Sequence, residues 1–179
     1  LPNPLKEQVK GVRARAVETI YTYERMHPVT SAVRQVDWFG LYTAAAGARV
    51  YTHRLWPERY WNRMALVCEP TGKLVHASLL ERDGSAWKAL DGGTLLASRD
   101  EWFAPICAEV APSGAVYVID WYNYIIQHNP TPQGFENGAG NAYETPLRDK
   151  THARIWRLRP TGARLERDRP LSRLSTGER

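Results

Sequence analysis

The sequence lacks any long hydrophobic run. No stretch of about 18 apolar residues occurs in its 179 residues, so the sequence encodes no transmembrane helix. A secretory signal pattern is also missing, and the chain opens on Leu1 instead of Met. We therefore expect a processed product or a piece of a longer protein, and composition alone indicates no compartment.

Cysteine is scarce, with Cys68 and Cys107 as the only two. They form no C-x-x-C pair, no C-x-x-C-H haem attachment motif and no zinc-binding spacing. The sequence favours two buried apolar thiols. A disulfide between neighbouring strands is the alternative, and it requires a Cα separation below about 7 Å.

Positive charge is present but not concentrated. The net charge of +5 comes from 24 basic residues against 19 acidic ones, and the basic residues are dispersed except near the two ends. No nucleic-acid-binding motif accompanies them, so we predict no nucleic-acid partner. The 43% hydrophobic content is ordinary for one globular domain, and seven Trp and nine Tyr against three Phe favour strands.

A short repeat runs through the chain. The segments "CEPTGKLVHASLL", "VAPSGAVYVIDWY" and "LRPTGARLERDRP" share Pro, then Ser or Thr, then Gly, and their prolines are 42 and 48 residues apart. Pro and Gly suit a tight turn, and the flanking segments are rich in strand-forming residues. Blades of β-propellers recur at about 40 to 50 residues. The spacing therefore predicts hairpins of propeller blades.

The predicted fold is all-β: a portion of a β-propeller with about two to three four-stranded blades and an N-terminal arm. Residues 1–36 form the arm or a partial blade, residues 37–160 the C-terminal blades, and residues 161–179 a polar tail. "DWFGLYTAAAG" is predicted as the first strand of a blade covering 37 to about 98. Such a fragment cannot close a ring, so the remaining blades must come from a longer chain or a partner chain.

Polar side chains flank a long loop, 129–152, in the second blade. The residues concerned are Asp120, Asn123, Gln127 and His128 before it, and Arg148, Asp149, His152 and Arg154 at and just after its end. Because a blade brings one strand's end near the next strand's start, we expect both groups to meet. Asp120 can pair with Arg148 or Arg154, or ligate Ca²⁺. The plainer alternative is a capped turn with a structural ion pair.

The segments "EWFAPICAEVAPSGAVYVIDWYNYIIQH", "RDKTHARIWRL" and "WNRMALVCEPTGKLV" carry a family resemblance. They resemble the C-terminal blades of a bacterial β-propeller family described as membrane-bound dehydrogenases, which is itself similar to quinoprotein glucose and sorbosone dehydrogenases. Two departures are visible: Ala153 stands where that pattern has Gly, and the haem motif is missing.

The resemblance implies a periplasmic or secreted propeller that acts on a sugar or polyol, with pyrroloquinoline quinone and Ca²⁺ as cofactors. A c-type haem domain is an implied partner. In that picture His128 is the catalytic base, and Asp120 and Asp149 are the metal ligands. The remaining implied cofactor-binding residues, beside Asp120, are Tyr122, Asn123, Gln127, Arg148, His152 and Arg154.

Two further hypotheses stay open. A non-catalytic propeller could bind carbohydrate or protein through Trp121, Tyr122, Tyr124 and Tyr143, because sugar rings expose apolar C–H faces that stack on aromatic rings. A purely structural set of blades that docks neighbouring domains is the third hypothesis.

Overall fold

The computed structural model describes residues 25–33, 40–126, 147, 149 and 151–165. Within these ranges the chain forms seven strands: β1 (Ala46–Val50), β2 (Met64–Glu69), β3 (Leu74–Asp83), β4 (Ala86–Ala97), β5 (Pro105–Val110), β6 (Val116–Asp120) and β7 (Arg154–Leu158). The only helical element in these ranges is a 3₁₀ turn, Glu58–Tyr60. None of the described residues forms a helix long and apolar enough to span a bilayer.

The strands form two antiparallel sheets. The first has the order β1-β2-β3-β4 and the second β5-β6-β7. The all-β prediction is therefore confirmed. The strand predicted over "DWFGLYTAAAG" is wrong for residues 40–45, where Leu41 makes only an isolated bridge to Arg25. Strand β4, which the repeat did not indicate, completes the first sheet.

The first two copies of the repeat are hairpin turns, as predicted. The first joins β2 to β3, and the second joins β5 to β6. The third copy follows β7, where the Ala163 N–H donates to the Pro160 carbonyl at 3.1 Å. Gly114 and Gly162 have φ of 80° and 78°, but in the first copy the left-handed residue is Lys73, with φ 58°.

The hydrophobic core lies between the two sheets. Alternate residues of β2 point into it, and β6 contributes Val116 and Val118 from the opposite side. Tyr51 crosses the interface, since its hydroxyl donates to the Gly114 carbonyl at 3.0 Å. The sheets approach so closely that a Cβ on Gly47 would overlap the backbone of Cys107. The sheets thus form one packed unit.

Both cysteines are free thiols. Cys68 is buried in the core, and burial, with a smaller contribution from nearby Cys107, raises the pKa of its thiol to about 12. A thiol with so high a pKa carries little thiolate at neutral pH, so Cys68 acts as a small apolar core residue.

Candidate functional site

Asp120 lies at the end of β6 and is completely buried. One carboxylate oxygen accepts the N–H groups of Ala104 (2.8 Å) and Tyr122 (2.9 Å). The other accepts Arg154 Nε (2.7 Å) and Trp156 Nε1 (3.0 Å). Four donors from three chain segments therefore satisfy one buried carboxylate, and Asp120 joins the segment before β5 to β7.

Arg154, the first residue of β7, lies between two carboxylates. Its Nε bonds Asp120, and its Nη1 lies 2.8 Å from Asp100. Its guanidinium carbon also lies 4.3 Å from the centre of the Tyr122 ring. Partial burial works to raise the pKa of Asp100, but hydrogen bonds from the Trp102 N–H and Arg154 outweigh it and lower that pKa. The remaining nitrogen, Nη2, is buried and has no hydrogen-bond partner among the described residues.

Tyr122 adopts an unusual backbone conformation, with φ 56°. A bulky residue with positive φ is strained, and here the hydrogen bond from the Tyr122 N–H to Asp120 holds it in place. The strained conformation sets the Tyr122 ring against Trp102, with 5.5 Å between ring centres and 25° between planes. Trp102 also contacts the Tyr124 ring at 5.6 Å. Trp102 and Tyr122 form an aromatic wall, and Tyr124 supports it through Trp102.

Asn123 ties the segment after β6 to the segment before β7. It is buried, and its amide Nδ2 donates to the Asp149 carbonyl at 3.1 Å. Its Oδ1 accepts the Ile125 N–H at 3.3 Å, which forms a local turn. Both the donor and the acceptor of the Asn123 amide therefore make structural hydrogen bonds, and the donor positions Asp149.

Asp149 and His152 form a hydrogen-bonded pair. His152 Nδ1 lies 2.5 Å from Asp149 Oδ2. The Thr151 N–H, at 2.6 Å from Asp149 Oδ1, and then the Thr151 hydroxyl and His152 hold the pKa of Asp149 well below its ordinary range. The carboxylate is thus ionised at neutral pH and orients the imidazole. The His152 side chain is 70% exposed.

An open cleft of about 510 Å³ connects these groups. It is lined by Trp102, Tyr122, Asp149, His152, Ala153 and Arg154. The lining combines aromatic rings with the Asp149–His152 pair. The volume falls within the usual range for small-molecule sites, about 300–1,000 Å³. The arrangement suits a ligand with both an apolar face and hydroxyl groups.

Comparison with known proteins identifies the family. Residues 3–162 match the model of a domain of unknown function, DUF7133. The chain belongs to this family. No curated protein and no solved structure matches the chain. For this DUF7133 chain, the geometry of the cleft is therefore the guide to function.

The structure brings together every described residue of the predicted polar site, whereas Trp121, predicted to stack on a sugar, does not line the cleft. Contacts link these six residues in one continuous series: Asn123, Asp149, His152, Tyr122, Arg154 and Asp120. Arg148 and Arg154 were the predicted partners of Asp120. Arg154 is the one that the structure describes, and its ion pair with Asp120 is confirmed. Gln127, His128 and Arg148, together with Tyr143, lie outside the described residues.

Sequence reasoning missed Trp102, Asp100 and Trp156. Trp102 and Asp100 precede β5 and reach the site because the Asp100 carboxylate binds Arg154 and the Trp102 ring stacks on Tyr122. The aromatic residue in "RDEWF" was the one signal available. Trp156 donates to Asp120 only because β7 pairs with β6 in the observed register, and a long loop separates these strands in the sequence.

The described residues do not fit a calcium ion. Both oxygens of Asp120 already accept two hydrogen bonds each, and the positive Arg154 side chain lies beside them. Both oxygens of Asp149 are likewise hydrogen-bonded, to Thr151 and His152. No group of three potential ligands occurs among the His, Cys, Asp and Glu residues that the structure describes.

Pyrroloquinoline quinone fits the described residues poorly as well. It carries three carboxylates, and the cleft already holds ionised Asp149. The charge of Arg154 is balanced by Asp100 and Asp120. A second arginine or lysine is missing from the described lining, so a polyanionic cofactor would meet net repulsion there.

Proposed function

We propose that this chain forms part of a β-propeller and that its cleft at the end of β6 binds a neutral sugar or polyol. One observation carries the proposal: the Trp102–Tyr122 wall and the Asp149–His152 pair line the same cleft. Sugars present apolar C–H faces, which stack on aromatic rings, and hydroxyl groups, which hydrogen-bond to carboxylate and imidazole.

The propeller architecture is supported by the packing of the two sheets. Two antiparallel sheets share a core, and each contains a hairpin with the same Pro, Ser or Thr, Gly turn. The outer side of the second sheet also carries unburied apolar residues. Ile119 and Ile155 are cross-strand partners and are 40% and 69% exposed. Further blades, from a longer chain or a partner chain, would cover them.

Neutrality of the ligand follows from the charges around the cleft. Asp100, Asp120 and Asp149 face two cations, Arg154 and the nearby Lys73, so an anionic ligand would still meet a surplus of negative charge. A polyol has no charge to repel. Its hydroxyls can hydrogen-bond to the Asp149 carboxylate and to the exposed His152 imidazole, which both line the cleft.

Sugar binding is tested by Trp fluorescence and calorimetry on the full chain with cellobiose, maltose and sorbitol. Trp102→Ala removes half of the aromatic wall, and we expect binding about tenfold weaker. Trp87→Ala is the matched control, because Trp87 is 57% exposed and lines no part of this cleft. Equal loss in both variants, or no binding by the unmodified chain, would contradict the proposal.

Oxidation of the bound polyol is the second candidate, and the Asp149–His152 pair favours it. His152 Nε2 can act as the base that takes the proton of a sugar hydroxyl. The hydride on the carbon that bears this hydroxyl then passes to a separate electron acceptor, such as a quinone. His128, nominated from the sequence, lies outside the described residues. The periplasmic or secreted location and a c-type haem partner remain predictions.

Replacement of the histidine separates binding from oxidation. In the longer protein, His152→Asn should lower sugar-dependent dye reduction about 100-fold or more while sugar affinity changes by less than about threefold. His27→Asn, at an exposed position outside the cleft lining, is the control. Unchanged dye reduction in His152→Asn would exclude this base.

A further inference from the structure

A second surface of the molecule is rich in arginine and aromatic residues. It includes the 3₁₀ turn, the residues before β2 and the hairpin of β3 and β4. We call it the arginine surface and define it by Arg54, Arg59, Arg63, Arg82, Tyr60, Trp61 and Trp87. It shares no residue with the lining of the sugar cleft.

Three arginines of this surface lie against aromatic rings. The guanidinium carbon of Arg59 is 4.7 Å from the centre of the Tyr60 ring. Those of Arg82 and Arg54 are 5.4 Å and 5.6 Å from the rings of Trp87 and Trp61. Arg82 and Trp87 are also cross-strand partners in the β3–β4 register. Stacking on a ring restricts a guanidinium and leaves its N–H edges available to a ligand.

The charges of these stacked arginines are not balanced by ion pairs in the described part of the chain. Arg63 is paired, since its Nη2 lies 3.2 Å from Glu81 and its Nε donates to the Leu80 carbonyl at 3.0 Å. Arg59 instead donates to the Tyr60 hydroxyl at 2.6 Å, a neutral partner. For Arg59 and Arg82, no described carboxylate lies within ion-pair distance.

Two open clefts run along this surface. One, of about 570 Å³, is lined by Glu58, Arg59, Trp61, Asn62 and Arg63. The other, of about 490 Å³, is lined by Asn62, Arg63, Leu80, Glu81, Arg82 and Trp87. Because Asn62 and Arg63 belong to both, the clefts adjoin. Together they form an elongated depression. Arg59 lies towards one end and Arg82 towards the other, and neither has an ion pair with a described residue.

We propose that the arginine surface binds an acidic polysaccharide through its carboxylates. Arg59 and Arg82 each offer a planar guanidinium edge to one carboxylate, and the paired Arg63 lies between them. The rings of Trp61 and Trp87 line the two clefts and hold the guanidinium groups of Arg54 and Arg82 in place. Elongated shape and spaced cations match a linear chain of uronic acids better than a single small anion.

The covering of the aromatic faces argues against single-stranded nucleic acid at the same surface. Such binding relies on bases stacking on open aromatic rings. Here a guanidinium covers one face each of Tyr60, Trp61 and Trp87. A carboxylate needs only the guanidinium edges, which stacking leaves open.

Binding at the arginine surface does not depend on the sugar cleft and is expected even if no neutral sugar binds there.

The test is calorimetric titration of the full chain with tetragalacturonate, with cellotetraose as the uncharged probe of equal length. We expect tetragalacturonate to bind, cellotetraose not to compete, and the affinity to fall when salt is raised from about 0.05 to about 0.3 M. Arg59→Ala and Arg82→Ala should each weaken binding about tenfold, and Lys replacements less, because lysine keeps the charge but not the fork. Arg157→Ala, exposed on β7, is the matched control.

Three outcomes would overturn the proposal. A single-stranded oligonucleotide that displaces tetragalacturonate with higher affinity would assign the surface to nucleic acid. Inorganic sulfate of equal affinity would reduce it to a generic anion site. Equal weakening by Arg157→Ala would show that only net charge matters. Circular dichroism melting checks that each variant is folded, and Arg82→Gln replaces Arg82→Ala if the latter fails to fold.

Discussion

The three copies of the Pro, Ser or Thr, Gly turn place their glycines in three different surroundings. Gly114, between β5 and β6, has φ 80° and packs against the side chains of His53 and Leu55. Gly72, between β2 and β3, has an ordinary φ but packs against Met26. Gly162, after β7, has φ 78°, and a Cβ added there would meet nothing within 4 Å.

A single sequence motif therefore requires glycine for separable physical reasons. Positive φ favours glycine because an L side chain clashes with its own backbone there, at a cost of about 1–2 kcal/mol. Close packing favours glycine because a methyl group has no room, whatever the φ. Gly114 needs both properties, Gly72 only the space, and Gly162 only the φ. Alanine replacements at the three positions separate the two causes.

Gly114→Ala is expected to be the most destabilising of the three. The new methyl group would meet the left-handed backbone and overlap the His53 ring, which is held in place because its Nδ1 accepts the Leu55 N–H at 3.1 Å. We expect a loss of about 3 kcal/mol or more in the free energy of unfolding, measured with urea. Gly84→Ala is the control, since Gly84 has φ 60° but an open surrounding, and it should lose only about 1 kcal/mol.

Gly72→Ala is expected to lose about 2 kcal/mol, because the methyl group would overlap the Met26 sulfur. Met26 is a flexible side chain, so the clash can be partly relieved. Combining the change with Met26→Ala should recover about 1 kcal/mol relative to the sum of the two single losses. Strict additivity in this double-mutant cycle would mean that Gly72 is required for another reason.

The sequence predicted the hairpins well because turn chemistry is local. Pro112 and Gly114 specify their own backbone angles, and the strands beside them are rich in β-branched residues. In the first turn the left-handed residue is Lys73, one position after the glycine of the motif. There the Lys73 carbonyl accepts the Ser98 N–H, a contact that arises only once β4 is in place. Local rules cannot contain that information.

The candidate site was predicted in part for the same reason. Asp120 and Tyr122 were found because the abrupt change from apolar to polar residues marks the end of β6. Trp102 was missed because it reaches the cleft by stacking across the sheet on Tyr122, a non-local contact. The metal role expected for Asp120 fits poorly because four donors, from both near and distant segments, already occupy its oxygens.

The residue before the proline differs among the three turns, and in the first turn it is a buried acid whose charge depends on pH. It is Glu69 in the first turn, Ala111 in the second and Arg159 in the third. Burial raises the pKa of Glu69, although Thr71 and the Ala44 N–H donate to its carboxylate. With a raised folded-state pKa, the stabilising contribution of Glu69 is fully present below its unfolded pKa of about 4.3 and is lost as pH rises through the folded pKa.

Glu69→Gln should therefore change the pH dependence of stability. At low pH the unmodified chain should be about 1 kcal/mol more stable than the variant. The reason is that the neutral carboxyl of Glu69 is a better hydrogen-bond partner for Thr71 and Ala44 than the amide of glutamine is. This advantage should shrink as pH rises, and urea unfolding between about pH 4 and pH 8 measures it. The lowered pKa values of Asp100 and Asp149 act in the opposite direction but cancel in the difference. An advantage that grows with pH would contradict the raised pKa.

Gly162→Ala is expected to have the smallest effect of the three alanine replacements. The surroundings are open, so only the left-handed φ is penalised, at about 1 kcal/mol in urea unfolding. The same replacement in a longer protein with further blades adds a second test. If another blade packs on the third turn as the loop after β1 packs on Gly114, the cost should rise towards the Gly114→Ala value. A cost unchanged by the added blades would place this turn at the rim of the propeller, away from any blade interface.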